Sequence, residues 1–243
     1  IFAAFARGTD VVLPPDFVPN RCQPPHPPDA LLALPLELHA RADIESGRAV
    51  LFPYSHLLRL ADDEERDLNG YPSFLVRKTG KPMGRPVVNF SGPSPLNHDS
   101  KRAVLAEQFG AICLPNAVDY MRIARGVHRR FPGEKIVCFQ SDFAAWFKRT
   151  RQTVASALLH ISYVVLNDGE LYCVINISGM WGCMDTNYHA CLNSAVLEAR
   201  QVEWSLSRFD IQLGAMYVDD MNQFGPVAVA NEAHARHYAD SEV

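Results

Sequence analysis

No apolar run in this sequence approaches the roughly 20 residues that a membrane-spanning helix requires. No basic-then-apolar secretory opening is present either. An intracellular protein of cytoplasm or nucleus is therefore expected, with no membrane partner. The chain begins at Ile1 rather than Met, as a fragment would. C-x-x-C pairs are also absent: Cys22, Cys113, Cys138, Cys173, Cys183 and Cys191 stand apart. That spacing argues against a zinc ribbon or a thioredoxin-type motif. Reduced thiols are expected, with Cys138 and Cys173 acting as small hydrophobes in strand-like runs. There is no internal repeat. An overall basic excess is missing too, since the net charge is −4.

The charge is unevenly spread. Residues 74–151 hold 14 Lys/Arg against 5 Asp/Glu, and the rest of the chain holds 9 against 22. A basic middle in an acidic chain fits a local polyanion site. A solvated basic surface would look the same by charge alone.

At 243 residues the chain can form one large domain or two small ones. Residues 14–35 carry eight prolines, a composition that disfavours helix and central strand. An extended arm or linker is expected over residues 1–35. Helical spacing appears at 36–46 and 55–67, with Ser55 as a candidate N-cap. Phe74-Leu75-Val76 and Arg85 to Phe90 read as two strands around the loop Lys78 to Gly84, a hairpin with a basic tip. Residues 116–131 form an amphipathic helix with Val118, Met121, Ala124 and Phe131 on one face. Ile136 to Gln140 is a buried-type strand that runs into Ser141-Asp142. Residues 149–161 look helical. Asn167-Asp168-Gly169 joins two strands, Tyr163 to Leu166 and Leu171 to Ile177. A long helix is expected from about Asn187 to Ser207. Strands Ile211 to Val218 and Met221 to Val229 flank a turn at Asp219-Asp220. This intermixture is an α+β fold, a sheet with helices on one face.

Three acids lie where strands end. Asp142 closes one strand, and Asp219 and Asp220 sit at a tight hairpin. A carboxylate at a strand end is held rigidly yet exposed at the sheet rim. Mg²⁺ takes hard oxygen ligands and keeps several waters, so two or three carboxylates plus substrate phosphates suit it. Two ions roughly 3.5–4 Å apart would activate an attacking hydroxyl and stabilise a leaving pyrophosphate. A polar turn is the bland alternative, because Asp is common in turns.

Tyr217-Val218-Asp219-Asp220 resembles the catalytic hairpin of reverse transcriptases, and Asp142 lies at a similar distance upstream to that family's first catalytic Asp. Phe74 to Lys78, Gly84 to Phe90 and Pro95-Leu96-Asn97 resemble the fingers hairpin. Ser178 to Met184 resembles the segment that supports nucleotide and template. The resemblance covers about residues 48–229. It implies a right-hand polymerase fingers and palm, the palm a ferredoxin-like antiparallel sheet backed by helices. The implied segments are fingers over 36–100, palm over 101–149, fingers again over 150–178 and palm over 179–243. By resemblance, Asp142, Asp219 and Asp220 are catalytic and bind two Mg²⁺ ions, with Mn²⁺ as substitute. The Phe143 carbonyl also binds metal. Lys78 and Arg85 grip the triphosphate, and the chemistry agrees, because Arg bonds phosphate bidentately and Lys supplies a mobile charge. Phe147 is the gate that excludes a ribose 2′-hydroxyl, and Gly182 lines the pocket.

The pattern is not followed everywhere. Met180-Trp181-Gly182 stands where Pro-Gln-Gly is common, Trp146 where Ala is usual, and Asn89 and Ser91 where Asp and Arg are frequent. The implied partners are an RNA or DNA template-primer and deoxynucleoside triphosphates. An RNA-templated RNA polymerase and a non-catalytic nucleic-acid-binding relic are the competing expectations. No motif supports Cys183 as a nucleophile, and His234 and His237 read as a solvated helix face.

Overall fold

The computed structural model describes residues 8–14, 16–20, 30–91, 96–143, 146–180 and 182–241. Of residues 30–33, 78, 81–83, 99–100 and 240–241 it describes the backbone alone. The chain divides into two compact units: residues 1–110 with 147–187, and residues 111–146 with 188–243.

The first unit opens with helix α1 (Ala30–Glu45), strand β1 (Ala49–Pro53) and helix α2 (Tyr54–Asp63). Strands β2 (Gly70–Tyr71), β3 (Ser73–Lys78) and β4 (Lys81–Val88) follow, then helix α3 (Asp99–Phe109). After the other unit's first segment come a 3-10 turn (Trp146–Arg149, from Phe147 on in this unit), helix α5 (Val154–Leu158) and strands β6 (Ile161–Val165) and β7 (Leu171–Asn176). The number α4 belongs to the helix Ala117–Arg130 of the second unit.

A four-stranded sheet in the order β1-β7-β6-β2 carries this unit. Its strands pair antiparallel except for β2, which runs parallel to β6. Strand β6 is buried on both faces, which explains why it is apolar apart from Ser162. Ile161, Tyr163, Cys173 and Ile175 face Leu57 and Ala61 of α2. Val164 and Val174 face Leu36 of α1. The Asn-Asp-Gly turn forms as expected, with Gly169 at φ +79 and its N–H donating to the Leu166 carbonyl at 2.9 Å. Strands β3 and β4 make a separate antiparallel hairpin.

Three expectations fail in this unit. Helix α1 runs through Pro35, although the prolines argued for an extended arm to residue 35. Burial of Leu36 and the Arg41–Glu37 ion pair at 2.8 Å offset the lost backbone bond. The helix expected over 149–161 shrinks to α5. Residues 150–152 instead bond in extended form: the Thr9 N–H donates to the Arg151 carbonyl and the Gln152 N–H to the Ile177 carbonyl. The Thr153 hydroxyl then caps α5 by accepting from the Ser156 N–H at 3.3 Å. Pro53, not Ser55, precedes α2.

A buried polar chain holds the loops of the first unit. The Lys101 ammonium pairs with Asp185 inside the protein. The second Asp185 oxygen accepts from the Val12 N–H at 2.9 Å. His160 Nδ1 lies 2.8 Å from the Ser156 carbonyl, so it carries the proton, and Nε2 accepts from the Cys183 thiol at 3.1 Å. Burial, the main cause, pushes His160 down to about 4 and Cys183 up to about 12. Both are therefore neutral at pH 7, and Cys183 serves as packing rather than as a nucleophile. The His160 shift has a consequence for pH. The native state resists protonation that the unfolded chain accepts near 6.5, so stability present above pH 6.5 falls as pH drops towards 4. The loss is roughly 3 kcal/mol at most. Urea unfolding at pH 7.5 and pH 4.5 measures it, and His160→Gln should show a shallower decline. An unchanged decline in that variant would remove His160 as the cause.

The second unit contains α4 (Ala117–Arg130), β5 (Val137–Asp142), most of α6 (Met184–Phe209), β8 (Gly214–Tyr217), β9 (Asp220–Gly225) and α7 (Val227–Ser241). Its described sheet is three antiparallel strands in the order β5-β9-β8. The Asn116 side chain and Asp119 form a capping box that starts α4. Its core residue is Val127, packed with Leu213 and Ala233. Of the apolar face expected from spacing, Phe131 packs against this core while Val118 and Met121 are exposed, so the buried face is rotated from the expected one. Cys138 is exposed as well, because β5 alternates and its even positions point outward. Strand β9 stops at Gly225, short of the expected Val229. Pro226 has no N–H for the ladder and leads directly into α7.

Candidate active site

Strand β5 pairs with β9 so that Asp142 stands directly opposite Asp220. Strand β8 pairs with β9 so that Tyr217 stands opposite the same Asp220. Directly paired residues share a sheet face, so Asp142, Asp220 and Tyr217 form one row at the strand ends. Asp142 and Tyr217 are exposed and Asp220 half-buried. The next row on that face is Gln140 and Asn222. The Gln140 amide donates to Asp220 Oδ1 at 3.3 Å, which orients that carboxylate.

The hairpin turn consists of Val218 and Asp219, and Asp220 already belongs to β9. This shifts the expected turn by one residue. Val218 takes φ +56, while Asp219 is not in the left-handed region. A turn of that kind favours Gly at its first central position. A β-branched residue there stores roughly 1–3 kcal/mol of strain. The Asp219 carbonyl accepts from the Phe143 N–H at 3.1 Å, so the turn is stitched to the end of β5.

The surroundings are acidic and partly desolvated. Burial, more than the nearby Asp219, raises the Cys191 thiol. Burial also raises Glu198, opposed by the Met216 N–H that it accepts from at 3.2 Å. Tyr120 of α4 is raised chiefly by desolvation, against a hydrogen bond with Asn222. Hard oxygen donors of this kind suit Mg²⁺. Among the described residues, no group of three or more His, Cys, Asp or Glu is arranged to hold a metal ion. Two protein carboxylates with phosphate oxygens and water are the donor set that the acid row fits.

Phe143 is buried, its ring stacked on Trp146 with centroids 4.9 Å apart and tilted against His237 at the same distance. Ser141 Oγ lies 2.8 Å from His234 Nδ1, so His234 packs on the β5 end rather than lying on a solvated face. Ser194, Gln140 and His234 are neighbours of the acid-bearing strand ends that no motif marks, and Trp146 stands out only as a departure from the family pattern. Their positions are set by helix and strand faces far apart in sequence.

The remaining expected residues, Lys78, Arg85, Phe147 and Gly182, belong to the first unit. Arg85 is exposed on β4 opposite Val76. Lys78 ends β3 opposite Lys81, and its side chain lies outside the described atoms. Phe147 is half-buried, and its carbonyl oxygen lies 2.5 Å from where a Cβ on Gly179 would stand, so only Gly fits there. Trp181 lies outside the described residues. Gly182 takes φ +92 with open space beside it. Asn97 braces that turn, donating to the Gly182 carbonyl at 2.7 Å and accepting from the Met184 N–H at 2.8 Å.

No protein-family model matches the chain, and no curated protein matches it. Among solved structures it is similar to native Prototype Foamy Virus Protease-Reverse Transcriptase, with a TM-score of 0.54 and 14% sequence identity. The match covers 96% of this chain and 24% of that one, so the chain spans about a quarter of that protein's length. At this identity the likeness is one of fold: a mixed α+β, reverse transcriptase-like fold. No helix among the described residues is long and apolar enough to cross a membrane.

Proposed function

We propose that this chain is the fingers and palm of an RNA-directed DNA polymerase from a retroelement. One observation carries the reading: Asp142 and Asp220 face each other at the strand ends, with Asp219 in the joining turn. The reverse transcriptase-like fold supports it. On this reading the first unit supplies the fingers and the second the palm. Asp142 and Asp219 bind the catalytic metals, Asp220 supports them, and the Phe143 carbonyl adds an oxygen. Mg²⁺, with Mn²⁺ as substitute, would supply charge neutralisation and activation of the primer hydroxyl. Lys78 and Arg85 hold the triphosphate, Phe147 excludes the 2′-hydroxyl, and Gly182 lets the backbone approach the nucleotide. The partners are a template-primer and deoxynucleoside triphosphates. The described cysteines are free thiols, in keeping with an intracellular setting.

The test is primer extension on an RNA template with Mg²⁺, using the full-length protein. Extension with deoxynucleotides, and more ribonucleotide incorporation in Phe147→Ala, is expected. A folded, template-binding protein that extends no primer would leave the non-catalytic relic as the better account.

A further inference from the structure

We infer that Trp146 and Ser194 are positioning residues that brace the Asp219 turn against the end of the strand carrying Asp142. The inference rests on the acid row being the catalytic site. Trp146 lies four residues after Asp142 and is buried. Its ring stacks on Phe143, the residue after Asp142. Its indole N–H reaches the Ala190 carbonyl at 3.3 Å and Ser194 Oγ at 3.2 Å, both on α6. Ser194, also buried, contacts the Val218 carbonyl through a short hydrogen bond. One aromatic side chain therefore joins the neighbour of Asp142 to the neighbour of Asp219.

The proton count makes the link directional. A serine hydroxyl has one proton. Inside a helix it commonly spends that proton on the carbonyl four residues back. Here that carbonyl is Ala190, with Ser194 Oγ 2.7 Å away. Indole can only donate. The one indole proton is shared between the Ala190 carbonyl and Ser194 Oγ as a three-centre bond, so the serine oxygen accepts from Trp146 while its hydroxyl donates. The single hydroxyl proton lies within reach of both the Ala190 and the Val218 carbonyls, and its donation to Val218 is the bond that ties the turn to α6. Val218 needs such a hold, since its left-handed backbone is unfavourable for a β-branched residue. A strained turn persists where its surroundings over-determine it. Phenylalanine at position 146 would keep the stacking and lose the N–H, and alanine at position 194 would lose the proton itself.

The test combines kinetics with hydrogen exchange on Trp146→Phe and Ser194→Ala. Ser194→Ala is expected to lower kcat for primer extension at least tenfold, with KM for nucleotide within about twofold. Trp146→Phe should lower it by a smaller factor in the same sense. Amide exchange in a peptide over residues 214–225 should accelerate at least tenfold in Ser194→Ala. A peptide over residues 161–176 should exchange as in the parent. Parent-like kcat and exchange in both variants would overturn the brace. So would faster exchange throughout residues 111–146 and 188–241, which marks a general packing role. If the parent protein extends no primer yet the 214–225 peptide responds as described, the polymerase reading fails and the brace stands. If the parent is active and the variants match it, the brace alone fails.

Discussion

Asp219→Asn is expected to reduce primer extension by about a thousandfold or more, without loss of fold. A carboxylate that binds a catalytic cation contributes several kcal/mol to the transition state. About 4 kcal/mol corresponds to a thousandfold. Asp142→Asn should act with similar size, but with a second signature. Asp142 and Asp220 are directly opposed on neighbouring strands, and like charges in that position repel. Removing one charge relieves about 0.2–1 kcal/mol. Thermal midpoints should therefore rise, by up to about 4 °C, while activity falls. The gain should shrink in high salt, since both groups are at least partly solvated. Activity and stability moving in opposite directions is the signature of a functional charge pair. Calorimetry beside primer extension decides it. A variant that loses activity and melts several degrees lower would show that Asp142 serves the fold, and the acid row would lose its catalytic assignment.

Much of this arrangement was legible because local signals repeat their own geometry. The Asn167-Asp168-Gly169 hairpin, the helix after Asn116 and the strand ending at Asp142 each announce themselves locally. The order of the acids along the chain was legible too, and so was the β3-β4 hairpin, although β4 begins at Lys81, inside the loop expected from Lys78 to Gly84. What could not be read depends on tertiary context. Pro35 lies inside a helix because buried Leu36 outweighs a missing hydrogen bond. Val118 and Met121 follow a helical period yet face outward, since periodicity fixes that residues share a face and not which face packs. The Val218-Asp219 turn is offset by one residue because Asp220 pairs with both Asp142 and Tyr217. The Trp146–Ser194 contact joins residues 48 positions apart, and no motif in the chain predicts it. Family resemblance marked position 146 only as a departure. The same holds for Lys101 and Asp185, which are unremarkable in sequence and wholly buried in the fold.

That buried pair gives the largest expected effect on stability. Asp185→Ala should cost about 3–5 kcal/mol, because it leaves the Lys101 ammonium without its counter-charge in the interior. Total stabilities are about 5–15 kcal/mol, so the loss takes a large fraction of the whole. Among the described residues, the ammonium would keep the Leu96 carbonyl, at 3.1 Å. Lys101→Met alone should be similarly damaging, since it strands the carboxylate with the Val12 N–H as its remaining strong donor. The double replacement Lys101→Met with Asp185→Asn should recover most of the loss. Methionine fills the aliphatic path of the lysine, and the asparagine oxygen keeps the Val12 N–H bonded. Neutral groups in the same volume avoid the desolvation that opposes a buried ion pair. Chemical unfolding of the two single variants and the double variant measures the coupling as a cycle. Destabilisations that simply add would show that the two groups do not act as a pair. Recovery would show that the two charges are coupled; Asp185 opens α6 just after the turn that Asn97 braces. Residues 8–14 and the Gly182 turn both lean on Asp185, so its loss should loosen the Gly182 side of the first unit before its four-stranded sheet.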